Sequence, residues 1–196
     1  MLKLDNVKMA LENAAKEIVR QAKINLGATQ TIIQNDGKAK RKHIDASGNL
    51  RNSLKYSDIK NKDGELSIEI LMDFYGDFID KGVDGTIHKT PKQSPYSFKR
   101  DTVGAAMQYS IFQWMRTKRI RLRDLGTGQF KKGKITSKSY ESLAYVIARS
   151  IKRKGINQTY FLTTPFNLTT SQLPDALEKA LGADIEAYLL SLNQVK

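Results

Sequence analysis

Apolar residues recur at helical spacing in four stretches of the chain and alternate with polar ones in a fifth. Over residues 3–26, Val7, Leu11, Ala14, Ile18 and Ala22 form one stripe with Ala10 and Ala15 beside it, which predicts a core-packing helix. Asp5 is its expected N-cap and Gly27 its expected stop. Val103, Ala106, Met107, Ser110, Ile111 and Trp114 predict a second helix over 102–115, with Trp114 in the core or at an interface. Leu143, Val146, Ile147 and Ile151 predict a third, stopped by Gly155 in the left-handed conformation. Arg149, Lys152, Arg153 and Lys154 load its other face and last turn, where cations suit the helix's negative end. A fourth helix, over 172–193, opens at Ser171 and Pro174 and carries Leu173, Leu177, Ala180, Leu181, Tyr188, Leu189 and Leu192. Asp184 interrupts that stripe, and Gly182 weakens the helix.

The alternating stretch is 65–72. Leu66, Ile68, Ile70 and Met72 take one face, and Glu65, Ser67 and Glu69 the other, as in a half-buried antiparallel strand. Asp63-Gly64 before it is a hairpin turn signal. Ser47 is placed to cap a single helical turn holding Leu50 and Leu54, and Phe74, Phe78 and Ile79 form another short turn ended by Gly82. Residues 158–162, Gln-Thr-Tyr-Phe-Leu, read as a strand or an extended arm. Residues 28–45 and 83–100 read as loops, the second long enough to act as an arm. In the basic, glycine-containing stretch 116–138, Arg119, Arg121 and Arg123 alternate with Ile120, Leu122 and Leu125, which suits a basic-faced strand or an extended arm.

At 196 residues and 40% hydrophobic the chain suits a single domain, 1–196, with an inserted arm region around 84–138 and a C-terminal helix over 172–193. No apolar run reaches the length of a membrane span, and the charged amphipathic start is unlike a signal peptide, so no membrane partner is expected. The lack of cysteine excludes disulfides, thiolate metal sites and a Cys nucleophile. Charge changes the picture more. Thirteen basic residues between Arg116 and Lys154 face only Asp124 and Glu141, a net of +11 within the formal +13 of the chain. Such a field attracts polyanions or acidic partners without reading sequence; a solvated lysine-rich surface is the alternative.

Catalytic chemistry is not apparent. Residues 128–134 match the letters G-x-x-x-x-G-K, but arginines precede them and Ile135 stands where a phosphate-binding loop needs Ser or Thr. His43 and His88 lie in separate polar stretches without paired ligands. Asp77, Asp80 and Asp84 lack the spaced ligands and terminal Glu of a calcium loop. With Asp73 they are the only dense carboxylate group that a metal-dependent nuclease reading has to draw on. No enzyme activity, cofactor or metal is expected.

Three motifs, in order, resemble the tail-completion or head–tail joining proteins of long-tailed bacteriophages. The first is Ser47-Gly48-Asn49-Leu50-Arg51-Asn52-Ser53-Leu54, similar to the family's T/S-G-x-L-R-x-S. The second is Tyr75-Gly76-Asp77-Phe78-Ile79-Asp80-Lys81-Gly82, with Asp80 where the family usually has Glu. The third is the basic helix 148–154 with Gly155-Ile156, followed by Tyr160-Phe161-Leu162; Tyr160 replaces a usual Pro. Residues 86–138 are an insertion relative to the family, and the C-terminal helix is extended.

The resemblance implies an α+β subunit: an antiparallel sheet of about four strands packed by an N-terminal helix and later helices, with long loop insertions. It implies a structural virion protein, assembled in the host cytoplasm, that forms a homo-oligomeric sixfold or twelvefold ring at the neck and contacts portal or adaptor and tail proteins. On that view Arg116, Lys118, Arg119, Arg121, Arg123, Lys131, Lys132, Lys134, Arg149, Lys152 and Arg153 face packaged DNA in the lumen or acidic partner surfaces. Tyr160, Phe161 and Leu162, as an edge strand, and the 83–100 loop are the candidate subunit interface. The alternative is a stand-alone, non-specific DNA-binding protein using the basic 116–154 stretch.

Overall fold

The computed structural model describes residues 2–34, 37–44, 47–121, 129 and 137–193, and only the backbone of Lys42, His43 and Asn193. Within them the fold is mixed helix and strand, broadly α+β. The elements in order are α1 (Asp5–Gly27), β1 (Thr29–Ile33), β2 (Ala39–His43), α2 (Asn49–Ser53), β3 (Lys55–Tyr56), β4 (Lys60–Lys62), β5 (Glu65–Ser67) and β6 (Ile70–Leu71). There follow α3 (Gly76–Lys81), β7 (Val83–Asp84), α4 (Ala105–Thr117), α5 (Ser137–Lys154), β8 (Gly155–Ile156) and α6 (Thr163–Asn193). The chain groups into two compact units, Met1–Ile32 with Ala39–Lys81 and Thr159–Lys196, and Ile33–Lys38 with Gly82–Gln158.

The expected sheet of about four strands is not what the described residues form: the strands pair two by two, β1 with β2, β3 with β6, β4 with β5 and β7 with β8. One of these divisions, between β3–β6 and β4–β5, is explained by the register of the hairpin. Tyr56 pairs with Ile70 and Lys60 with Ser67, so three residues, 57–59, lie opposite two, Ile68 and Glu69. One extra residue is a bulge that breaks the ladder. Ser57 bridges the break, donating its amide to the Glu69 carbonyl at 2.8 Å and accepting the Glu69 amide on Oγ at 3.0 Å. The single strand expected over 65–72 is therefore two short ones, although its alternation of half-buried and exposed side chains holds throughout. The turn is as its letters predict: Asp63 and Gly64 both take positive φ, 52° and 87°, as a two-residue hairpin turn requires.

In the first unit, α1 buries Ala15, Ile18, Val19, Ala22 and Leu26, while Val7, Leu11 and Ala14 are half-buried. Its expected N-cap, Asp5, is instead the first helical residue and makes no cap bond. Val19, Ala22 and Leu26 pack with Leu50 of the short α2, with Leu54 just after it, and with Phe161. Gly76 is tightly enclosed here: a Cβ on it would stand 2.6 Å from Met72 Sδ and 2.8 Å from Leu50 Cδ1.

The C-terminal helix begins at Thr163, well before the expected start at 172, and Gln158–Leu162 is not a strand. Asp80 causes this. Its carboxylate, 2% exposed, accepts the amides of Leu162 at 2.8 Å and Thr163 at 3.1 Å, and the Thr163 hydroxyl on its other oxygen. Those are the orphan donors of a helix N-terminus, satisfied from a distance. Pro165 falls in the first turn, where no donor is needed, and Pro174 is carried inside the helix at the loss of one ladder bond. Asp184, which interrupts the apolar stripe of α6, likewise accepts the Asn6 and Val7 amides that open α1, at 3.0 and 3.1 Å.

In the second unit, α4 and α5 pack around Met115 and Ala144, with Ile111, Phe112, Ile120, Tyr140, Leu143 and Ile147 against them. The buried face of α5 is marked by Ala144 and Ala148; Val146, expected on it, is 59% exposed. Trp114 is also exposed, at 41%.

Candidate functional site

The cations that the sequence singles out fall, where described, at two places in the second unit. The better defined is the C-terminal half of α5. A helix end leaves its last carbonyls without partners, and here the segment after β7 supplies them. The Thr86 amide donates to the Lys152 carbonyl at 3.0 Å, and those of Ile87 and His88 to the Arg153 carbonyl at 3.0 and 3.2 Å. This approach is so close that a Cβ on Gly85 would lie 2.2 Å from the Arg153 oxygen. Gly155 then leaves the helix with φ of 80°, as its position predicts, and β8 pairs with β7.

The 83–100 stretch, expected to be a long loop able to act as an arm, is folded on itself. Asp84 anchors it, accepting the Thr90 amide at 2.9 Å and hydroxyl at 2.6 Å, while its backbone exchanges bonds with Tyr96 and Phe98. Burial alone would raise the Asp84 pKa, but the Thr90 donors and the nearby Lys89 ammonium outweigh it and hold the carboxyl below its ordinary value. The Gln158 side chain brackets Lys92, bonding both its amide and its carbonyl.

Between this segment and α5 lies an open groove of about 430 Å³, floored by Ile87, Tyr145 and Val146 and rimmed by Arg149, Arg153 and Lys154. Its cations differ in availability. Arg149 bonds the Asp101 carboxylate at 3.2 Å, and Lys152 donates to the Thr102 carbonyl at 2.6 Å with the Phe98 ring 5.9 Å away. Both hold the chain that leads into α4. The Arg153 side chain is exposed and makes no ion pair among the described residues.

The second place is the end of α4. Arg116 lies 5.9 Å from the centroid of the Phe112 ring, and Arg119, with φ of 49°, shares an open cleft with Ile120 and Tyr140. Lys118 and Arg121 are exposed beside them. Arg123, Lys131, Lys132 and Lys134, and with them all of the 128–134 motif but Gln129, lie outside the described residues.

The interface candidates separate. Phe161 is fully buried and belongs to the core of the first unit, whereas Tyr160 and Leu162 are half-buried in the turn that opens α6. The Asp80 and Asp84 carboxylates are both engaged in holding backbone. Among the described residues no group of three His, Asp or Glu side chains is placed to hold a metal ion, and no helix is long and apolar enough to cross a membrane. No family model matches the chain, and no curated protein or solved structure matches it.

The sequence pattern did not single out Ile87, Tyr145 or Val146 as groove residues. Val146 carried a signal all the same: it lies two residues before Ala148, on the same side as Arg149 and Arg153.

Proposed function

We propose that this chain is a structural, non-catalytic virion protein that assembles as a ring at the neck of a long-tailed bacteriophage, between portal and tail. One observation carries the reading: parts of all three motifs behind the resemblance meet in one core, although the basic helix of the third lies in the second unit. Leu50 and Leu54 of the first pack with Ile79 of the second and with Phe161 and Leu162 of the third. Asp80, at the acidic position of the second motif, binds the backbone at the end of the third. Residues spread over more than a hundred positions thus act together, as a shared family framework requires. In this reading the antiparallel sheet of about four strands forms when two-stranded pairs add strands from neighbouring subunits. The ring is sixfold or twelvefold, joins portal or adaptor and tail proteins, and presents Arg116, Arg119 and Arg153 to DNA or to acidic partners.

The test is the mass of the purified protein in solution, alone and with portal-proximal virion proteins, across a salt series. A closed ring, or incorporation into one, is the expected result. A monomer that ignores those proteins and binds duplex DNA at low salt overturns the proposal. That result favours the second reading, non-specific DNA binding through the basic 116–154 stretch, for which the exposed Arg116, Arg119 and Arg153 speak.

A further inference from the structure

Helix α6 carries an apolar stripe that its own fold leaves uncovered. Leu181, Ile185, Leu189 and Leu192 follow at intervals of four, four and three, and are 42%, 42%, 55% and 51% exposed. They lie beside, not on, the face that Asp184 and Tyr188 turn inward. Gly182 sits on the same strip, three and seven residues before Ile185 and Leu189. A Cβ there would touch nothing within 4 Å, so no packing among the described residues calls for a glycine at a position where one weakens a helix. A glycine on an apolar strip lets another backbone come close.

The charge around the strip is opposite to that of the rest of the chain. Besides the inward Asp184, α6 holds Asp175, Glu178 and Glu186 against a single Lys179, in a protein of net charge +13. The α5 groove is the converse surface: apolar along Ile87, Tyr145 and Val146, and rimmed by Arg149 and Arg153. Lengths agree as well. The strip from Leu181 to Leu192 runs about 16 Å and the groove from Tyr145 to Lys154 about 14 Å, at 1.5 Å per helical residue.

We infer that the α6 strip of one copy docks in the α5 groove of a second copy, a head-to-tail contact between two different surfaces. Apolar burial supplies the attraction, and the cationic rim of the groove opposite the acidic side of the strip supplies register and orientation. A contact of two unlike patches repeats from copy to copy and closes into a ring when the rotation permits. The inference rests on the ring reading for its biological setting, but the contact itself is testable without any virion protein.

Two variants separate the possibilities. Ile185→Lys with Leu189→Lys spoils the strip and leaves the groove; Val146→Glu with Arg153→Glu does the reverse. All four side chains are exposed, so both variants keep the wild-type helical signal and melting behaviour. In sedimentation each variant alone is expected to be a monomer. Their equimolar mixture is expected to form a dimer and stop there, because only one intact strip and one intact groove meet. The wild type forms larger species that weaken as salt is raised from about 0.1 to 1 M. A wild type that stays monomeric, a variant that still self-associates, or a mixture that does not pair overturns the contact. Wild-type rings that survive both variants overturn this contact and leave the ring reading standing. Rings that obey the variants but ignore portal-proximal proteins sustain the contact and remove the neck reading.

Discussion

Asp184, far along α6, accepts the backbone amide of Asn6 at 3.0 Å and its side-chain amide at 2.8 Å on one carboxylate oxygen. The second oxygen takes the Val7 amide at 3.1 Å. A carboxylate is thus held at the positive end of α1, where the helix itself provides no side-chain cap. Residues 178 positions apart are joined by a charge-assisted bond that ties the two longest helices together.

That bond makes the first unit sensitive to acid. Burial would raise the Asp184 pKa, but the Asn6 and Val7 donors prevail and hold it below the ordinary aspartate value. A lowered folded value means that the unfolded chain binds the proton more readily. The stabilisation is complete above about pH 4 and is lost as the pH falls below it. Asp184→Ala is expected to lower the melting midpoint at pH 7 by a few degrees, and Asp184→Asn by less, because Asn still caps. Melting curves from pH 7 to pH 3 should show the difference between wild type and Asp184→Asn shrinking with acid; a constant difference would contradict the assignment.

Asp80 is the second long-range cap. Asp80→Ala leaves the half-buried Leu162 and Thr163 amides without their acceptor and is expected to cost about 1–3 kcal/mol, whereas Thr163→Val removes one bond and costs about 1 kcal/mol. Hydrogen exchange should quicken first at 162–166. Unchanged exchange there in Asp80→Ala would show that α6 starts without this carboxylate.

Phe161 distinguishes a core residue from an interface residue. Fully buried among Leu26, Leu50 and Leu54, it is expected to cost about 3–5 kcal/mol on replacement by Ala, and denaturant unfolding of the isolated subunit will register it. An interface role alone would leave the subunit's stability near wild type and reduce only assembly.

Gly85→Ala tests the packing behind the α5 groove. The added methyl would meet the Arg153 carbonyl at 2.2 Å, forcing the 85–88 segment away from the helix end. A loss of about 1–3 kcal/mol is expected. Faster exchange of the Thr86, Ile87 and His88 amides would accompany it; protection at wild-type level would count against the placement.

Gly182→Ala goes the other way. With open space around the position, it is expected to stabilise the isolated subunit by about 0.5–1 kcal/mol through helix propensity. If the strip receives a second copy closely, the same change weakens association. Stabilisation together with unchanged association would remove the glycine from the contact.

Local pattern determined much of this protein. The stripe of α1, the presence of helices at α4 and α5, the alternation from Leu66 to Met72, the Asp63-Gly64 turn and the Gly155 stop all follow from side-chain period and from which residues accept positive φ, although Trp114 and Val146 turn outward from the faces expected of them. Each of these signals lies within a few residues of what it governs. The tertiary structure alone decided the rest. The bulge at 57–59 depends on how two strands meet, and the start of α6 on a carboxylate 83 residues earlier. Asp184 breaks its own helix's apolar stripe because its partners sit on α1. The groove combines Ile87 with Tyr145 and Val146, which only the capping of α5 by the 86–88 amides brings together. Periodicity records which face a segment turns inward; it carries no record of which distant backbone will need a buried acceptor, because that need arises only once the chain has folded.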